Sequence, residues 1–180
     1  QAVCATIGSP YFDDEEAGCA SQKSGPAAGF LNAWRKHGAA APSWVRGPYA
    51  VVIVDASKEA VFLAVDRFAI QTLCYSIDGH MLTFSDRADC VEGRGADLDP
   101  QAIFDYLFFH TIPAPRTIFR NVRRIPAAHC LLIDEKGVHE TRHWPLHFDE
   151  HHREPFTVAR DTFRNLIRDG VAEEIAGHKR

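Results

Sequence analysis

Two apolar runs set the strongest constraint on what this chain can fold into. Tyr49–Asp55 (YAVVIVD) and Ala60–Asp66 (AVFLAVD) are rich in Val, Ile and Phe, and they flank the polar tetrapeptide Ala56-Ser57-Lys58-Glu59. Runs of this length, closed by turn residues, read as the two strands of a buried hairpin. Two more hairpins follow. Leu73–Ile77 and Met81–Phe84 flank the Asp78-Gly79 turn signal, and His129–Asp134 and Val138–Trp144 flank Glu135-Lys136-Gly137.

Helical periodicity is sparser. Ser24 is expected to cap a helix that runs to His37 and stops at Gly38, with Phe30, Leu31 and Trp34 toward a core. Leu98-Asp99-Pro100 opens a second helix, with Asp99 as N-cap, Pro100 in the first turn and Ile103, Tyr106 and Leu107 on one face. Thr157–Ala176 is amphipathic, with Phe163, Leu166, Ile167, Val171 and Ile175 at helical spacing. A small strand is expected around Val3–Ile7, followed by an acidic turn at Asp13–Glu16. Hairpins interrupted by few helices give an α+β fold with antiparallel sheet, not the alternating βαβ of a nucleotide-binding fold.

The 180 residues fit one domain, or one domain and a short piece of a neighbour, and can bury a core without disulfide or metal staples. A net charge of −4 argues against a nucleic-acid platform, which would be basic. No apolar run approaches the ~20 residues of a membrane helix, and no charged segment leads into an apolar stretch as in a signal peptide. Cys4, Cys19, Cys74, Cys90 and Cys130 are odd in number and lack C-x-x-C spacing. They read as reduced thiols of a cytoplasmic protein. The first residue, Gln1, is expected to lie inside a longer gene product.

The stretch from Trp34 to Trp144 resembles the class II glutamine amidotransferase domain of asparagine synthetases. Arg46-Gly47-Pro48-Tyr49-Ala50 with Val54-Asp55 is similar to that family's "GxFA…xD" strand, and Val65-Asp66-Arg67-Phe68-Ala69-Ile70 to its "RDRFGI". Leu73-Cys74-Tyr75 stands where "PLYY" is usual, and Leu82-Thr83-Phe84-Ser85-Asp86 resembles "LxFASE". Leu98-Asp99-Pro100 through Leu107 resembles "LDxxALxxYL". Pro115-Arg116-Thr117-Ile118-Phe119, then Arg124-Ile125-Pro126 and His129, resembles "PxxTIFxxIxxLPPGH", and His143-Trp144 closes the unit. The resemblance implies an Ntn-hydrolase-like αββα sandwich of antiparallel sheets with flanking helices. It places a type 2 amidotransferase domain at residues 1–148, with its N-terminal strand missing. Residues 149–180 are then a linker and the first helix toward a synthetase (ATP-pyrophosphatase) domain that the chain does not contain.

Active members use a cysteine at the mature N-terminus, whose thiol attacks the glutamine amide while its own α-amino group serves as base. The chain as given lacks that residue, and Cys4, followed by Ala-Thr-Ile-Gly, reads as an apolar strand residue. No catalytic residue is therefore assigned. Gly8-Ser9-Pro10 stands at the family's substrate-holding "NGE" turn, and Gly25-Pro26-Ala27 in place of its "DxE" carboxylate. By resemblance, Gly8, Asp66 and Arg67 are the candidate substrate-binding residues, although an ion pair fixing a turn explains Asp66-Arg67 equally well. Ala69 replaces a glycine, a costly change if the position needs positive φ.

Other clusters have plainer readings. His143, His147, His151 and His152 are expected in a solvated linker, without a metal site. Arg116, Arg120, Arg123 and Arg124 are expected in a solvated loop. The resemblance implies the N-terminal domain of a glutamine-hydrolysing asparagine synthase, a ligase of asparagine biosynthesis, here degenerate and structural. Alternatives are an active glutaminase with its cysteine upstream of Gln1, and a support domain like those of β-lactam synthetases and lasso-peptide cyclases. The implied partners are the chain's own synthetase domain, which would carry ATP and magnesium, and a second copy in a homodimer; neither nucleic acid nor membrane is expected.

Overall fold

The central hairpin forms as the apolar runs require. In the computed structural model, which describes residues 1–79, 81–92, 97–148 and 153–177, two compact units are found, Gln1–Pro145 and Leu146–Arg180. The first unit contains strands β1 (Ala2–Gly8), β2 (Tyr11–Phe12), β3 (Val45–Arg46), β4 (Tyr49–Asp55), β5 (Ala60–Val65), β6 (Cys74–Asp78), β7 (Met81–Ser85), β8 (Arg123–Arg124), β9 (His129–Asp134) and β10 (Gly137–Arg142). Its helices are α1 (Glu15–Ser24), α2 (Pro26–His37), α3 (Ala88–Glu92) and α4 (Pro100–Phe109), with a 3-10 turn at Gly38–Trp44. In the second unit, α5 (Phe156–Gly177) carries the expected apolar stripe.

Every strand pairing among the described residues is antiparallel. One sheet runs β1-β4-β5-β9-β10, a second β7-β6-β8, and a small ribbon pairs β2 with β3. The apolar runs of β4 and β5 are continuous because both faces of their sheet are covered. Toward α2, Phe30 and Trp34 pack with Val51, Ile53, Phe62 and Cys130. Toward the second sheet, Val52, Leu63, Val65 and Leu131 pack with Leu73, Tyr75 and Ile125. The layers are thus helix, five-stranded sheet and three-stranded sheet, with α3 lying against β6 and β7. The mixed helix and antiparallel-sheet class stands as read.

The N-terminal helical region differs from expectation. Ser24 is the last residue of α1, a helix missed in the sequence, and Gly25 caps both α1 and α2. The true cap signal is Asp14, whose carboxylate accepts from the amides of Glu16 and Ala17 at 3.0 and 3.1 Å. Lys36 reaches the same carboxylate at 2.6 Å and clamps α2 to the start of α1. What was read as an acidic turn is a helix start, with Glu15 and Glu16 in the first turn, where the helix dipole favours negative charge.

In α4, Asp99 caps as expected, accepting from Gln101 N at 3.0 Å. Its apolar residues Ile103, Tyr106 and Leu107 point outward, however, while Ala102 and Asp105 are buried. The inner side is polar: Asp105 accepts from the Gln101 side chain at 2.7 Å and pairs with Arg116 at 3.7 Å.

Candidate functional site

One end of the five-stranded sheet gathers Gly8, Asp66 and Arg67. Gly8 ends β1 and pairs with Tyr49, the first residue of β4. Tyr49 N in turn donates to Asp66 Oδ2 at 3.2 Å, and Asp66 N donates back to Tyr49 O at 2.9 Å. Gly8 and Asp66 therefore flank one tyrosine. Across the sheet, Ala128 N donates to Asp66 O at 3.0 Å and His143 N to Ala128 O at 2.8 Å, which brings the start of β9 and the end of β10 to the same place.

Asp66 is 1% exposed, and its carboxylate is fully engaged. It accepts backbone N–H bonds from Tyr49, Phe68, Ile70 and Gln71 at 2.9–3.2 Å. A buried carboxylate needs such compensation, and here it shapes the loop that leaves β5. The ion pair with Arg67 entertained from sequence does not form. Arg67 instead lies over the Trp144 ring, 5.3 Å from guanidinium carbon to centroid, with Phe68 edge-on to that ring at 5.5 Å. Ala69, in the middle of this loop, has φ 51°, the left-handed conformation that favours glycine.

Gly8 is held where no other residue fits. Its φ is +98°, and a Cβ would stand 2.2 Å from Pro48 O. The following residue, Ser9, donates its amide to Pro48 O at 2.8 Å. Gly47, with φ +80°, closes the contact from the other side, where a Cβ would meet Ser9 O at 2.7 Å. Asp13, just after this turn, is bound to Arg46 at 2.7 Å. Gly25, Pro26 and Ala27 form the α1–α2 junction and bring no carboxylate.

The cysteines divide by burial. Cys74 and Cys130 are buried, Cys4 is partly buried, and Cys19 and Cys90 are exposed. Burial pushes the Cys4 thiol up to about 12 and that of Cys130 up to about 11, which leaves both protonated and unreactive at neutral pH. Beside the Gly8 end opens a cavity of about 270 Å³, lined by Ala5, Thr6, Ile7, Ala50, Val52 and Phe84 among others.

One sequence expectation needs correction here. His143 is not in a solvated linker: it is part-buried, and its Nε2–H donates to Val65 O at 2.9 Å. Burial depresses its pKa, so the ring stays neutral and pins the end of β10 onto β5. Of its neighbours, His151 and His152 lie outside the described residues, and among the described residues no His, Cys, Asp or Glu group could hold a metal ion. In the arginine patch Arg116, Arg120 and Arg123 are exposed, as expected of a solvated loop, and only Arg124 is part-buried. Arg116 pairs with Asp99 at 3.3 Å, Arg120 with Asp97 at 2.8 Å, and Arg124 donates to Ile112 O. Sequence reading missed Tyr49 as the hub of the site. Its place next to Gly47-Pro48, at the start of the strongest strand, was the available signal.

Comparison with known proteins follows the same lines. A family profile described as a glutamine amidotransferase domain matches residues 16–144. Asparagine synthetase [glutamine-hydrolyzing] 3 of Bacillus subtilis is 22% identical over 135 residues, covering 73% of this chain and 22% of that protein. Asparagine synthetase [glutamine-hydrolyzing] 1 of the same organism is 21% identical over 153 residues, covering 83% and 23%. The chain thus spans under a quarter of these relatives. A solved structure titled glutamine phosphoribosylpyrophosphate amidotransferase from B. subtilis, complexed with ADP and GMP, overlaps 79% of this chain and 30% of its own. Its TM-score is 0.49 at 12% identity, too loose a likeness to carry an argument. No helix among the described residues is long and apolar enough to cross a membrane.

Proposed function

The chain belongs to the glutamine amidotransferase domain family, and from that premise we propose that it is a degenerate member, a non-catalytic support for an ATP-dependent amide-forming enzyme of the asparagine-synthetase type. The observation that carries this reading is how the polar groups at the sheet end are used. A free amino acid is recognised by charged groups that meet its ammonium and carboxylate. Asp66 spends both carboxylate oxygens on backbone amides, and Asp13 is taken by Arg46. Gly8-Ser9-Pro10 is closed against Gly47-Pro48, and Gly25-Pro26-Ala27 offers no carboxylate. The sheet end is organised to hold its own loops.

On this reading the amide-forming chemistry belongs to a synthetase domain of the same polypeptide, which would bind ATP and magnesium and would be this domain's partner in the cytoplasm. The nitrogen would come from free ammonia or from an amine on the substrate, as in β-lactam-synthetase-like and lasso-cyclase-like ligases. Substrate binding supplies the test. Titration of L-glutamine into the ¹⁵N-labelled chain is expected to leave the amide resonances of Gly8, Ser9, Phe68 and Ile70 in place. Saturable shifts centred on those amides would favour an active glutaminase instead.

A further inference from the structure

The two edges of the five-stranded sheet are built differently. The β10 edge carries His139, Glu140 and Arg142, charged or polar groups of the kind that blunt an edge against pairing with another chain. The β1 edge, Ala-Val-Cys-Ala-Thr-Ile-Gly, carries no charge and no proline. It pairs with β4 on one side and, among the described residues, with no strand on the other.

The hydrogen-bond phase of β1 fixes what that edge offers. Ser9 N donates to Pro48 O at 2.8 Å and Ala56 N to Gln1 O at 3.3 Å, so the odd-numbered residues bond inward to β4. In an antiparallel ladder the alternate residues then turn their N–H and C=O groups the other way. Ala2, Cys4, Thr6 and Gly8 therefore present theirs outward. On the face toward the second sheet, β1 exposes Val3 (66%) and Ile7 (41%), and the adjoining apolar cavity of about 270 Å³ reaches Phe84 on β7.

We propose that β1 is a self-association edge, pairing antiparallel with β1 of a second copy about a two-fold axis at Ala5. The sequence of the strand argues for a copy of this chain over an unrelated strand, because it is nearly symmetric about that residue. With Ala5 opposite Ala5, Val3 faces Ile7 of the second copy, a β-branched pair, and Cys4 faces Thr6. A small side chain, the Ala5 methyl, falls on the axis, at a non-hydrogen-bonded pair where side chains approach most closely. The outward groups of Cys4 and Thr6 are then the hydrogen-bonded pair, which agrees with the phase of the monomer's ladder. Such an isologous contact closes on itself and makes one continuous sheet across the dimer. The inference is independent of the catalytic reading above.

Sedimentation velocity of the 180-residue chain across a dilution series tests it. The expected species is a dimer of twice the 20.1 kDa chain mass that dissociates on dilution. Ala5→Lys places two like charges on the axis and is expected to give a monomer with an unchanged circular-dichroism spectrum. Ala5→Cys, in a chain whose exposed Cys19 and Cys90 are serine, is expected to cross-link into a dimer with oxidised glutathione. Val3→Cys in the same chain is not, since Val3 lies opposite Ile7. A monomer at every concentration would overturn the proposal and leave the edge to a strand of another polypeptide. A dimer that Ala5→Lys leaves intact would overturn it as well.

Discussion

Tyr49 and Asp66 hold each other at the ends of adjacent strands. The tyrosine amide donates to the aspartate carboxylate at 3.2 Å, and the aspartate amide donates to the tyrosine carbonyl at 2.9 Å. The same carboxylate then organises the loop through the amides of Phe68, Ile70 and Gln71. Asp66→Asn keeps the shape of the side chain but turns one acceptor into a donor facing the amides of Tyr49 and Gln71. Charge-assisted bonds are worth roughly 1.5–3 kcal/mol each, and an unpaired buried group costs a similar amount. The variant is expected to lose about 3 kcal/mol of stability, read as a lower urea midpoint with an unchanged slope.

Ala69 reports on the same loop from the opposite direction. At φ 51° it bears the cost of a side chain in the left-handed region, about 1–2 kcal/mol. Ala69→Gly removes that cost but gives up part of one methyl's burial, at most about 0.8 kcal/mol, and adds unfolded-chain freedom worth about 0.4–1 kcal/mol. The terms nearly cancel, so the net effect is expected to be under about 1 kcal/mol in either direction, seen as a thermal midpoint close to that of the natural chain.

Acid stability is expected to depend on Asp55. The Ser57 hydroxyl, then the Trp34 indole N–H at 2.9 Å, hold its carboxyl down at about 2. A depressed folded-state pKa gives stability that is fully present above the unfolded value, about 3.9. It is lost as pH falls from there through the folded value, because the unfolded chain then binds the proton first. Denaturant midpoints should therefore fall between pH 4 and pH 2 in the natural chain, and fall less steeply in Asp55→Asn.

Thiol reactivity tests the reading of the cysteines. With its thiol pushed up to about 12, Cys4 at pH 8 is ionised to roughly one part in ten thousand. Titration of the folded chain with Ellman's reagent is expected to modify Cys19 and Cys90 promptly. Cys4, Cys74 and Cys130 should react only in denaturant. Prompt modification of Cys4 would contradict its place as a protonated strand residue.

The sequence carried the sheet well because hairpins are local: apolar runs with a turn between them name their own partner. Tyr49–Asp55 and Ala60–Asp66 form the expected hairpin, with Asp55 opposite Ala60 and only Asp66 leaving the strand. The helices were less readable. α1 is short, weakly amphipathic and buries only Ala17, so nothing in its periodicity separates it from a loop. Its cap, Asp14, is one acid among several. The site was half visible. Gly8, Asp66 and Arg67 could be picked out by resemblance, but whether Asp66 is free for a ligand depends on which amides fold back onto it. That is set by a tertiary contact with Tyr49. His143 was misread for a similar reason: it sits among other histidines in a polar stretch, and only the docking of β10's end onto Val65 buries it.

The central claim is that this glutamine amidotransferase domain supports amide formation without hydrolysing glutamine. The most direct measurement is ammonia released from L-glutamine by the full-length polypeptide, with ATP, magnesium and the amide acceptor present. The account predicts no release above the no-enzyme rate. Steady release abolished by substituting one cysteine at the polypeptide's N-terminus would contradict it.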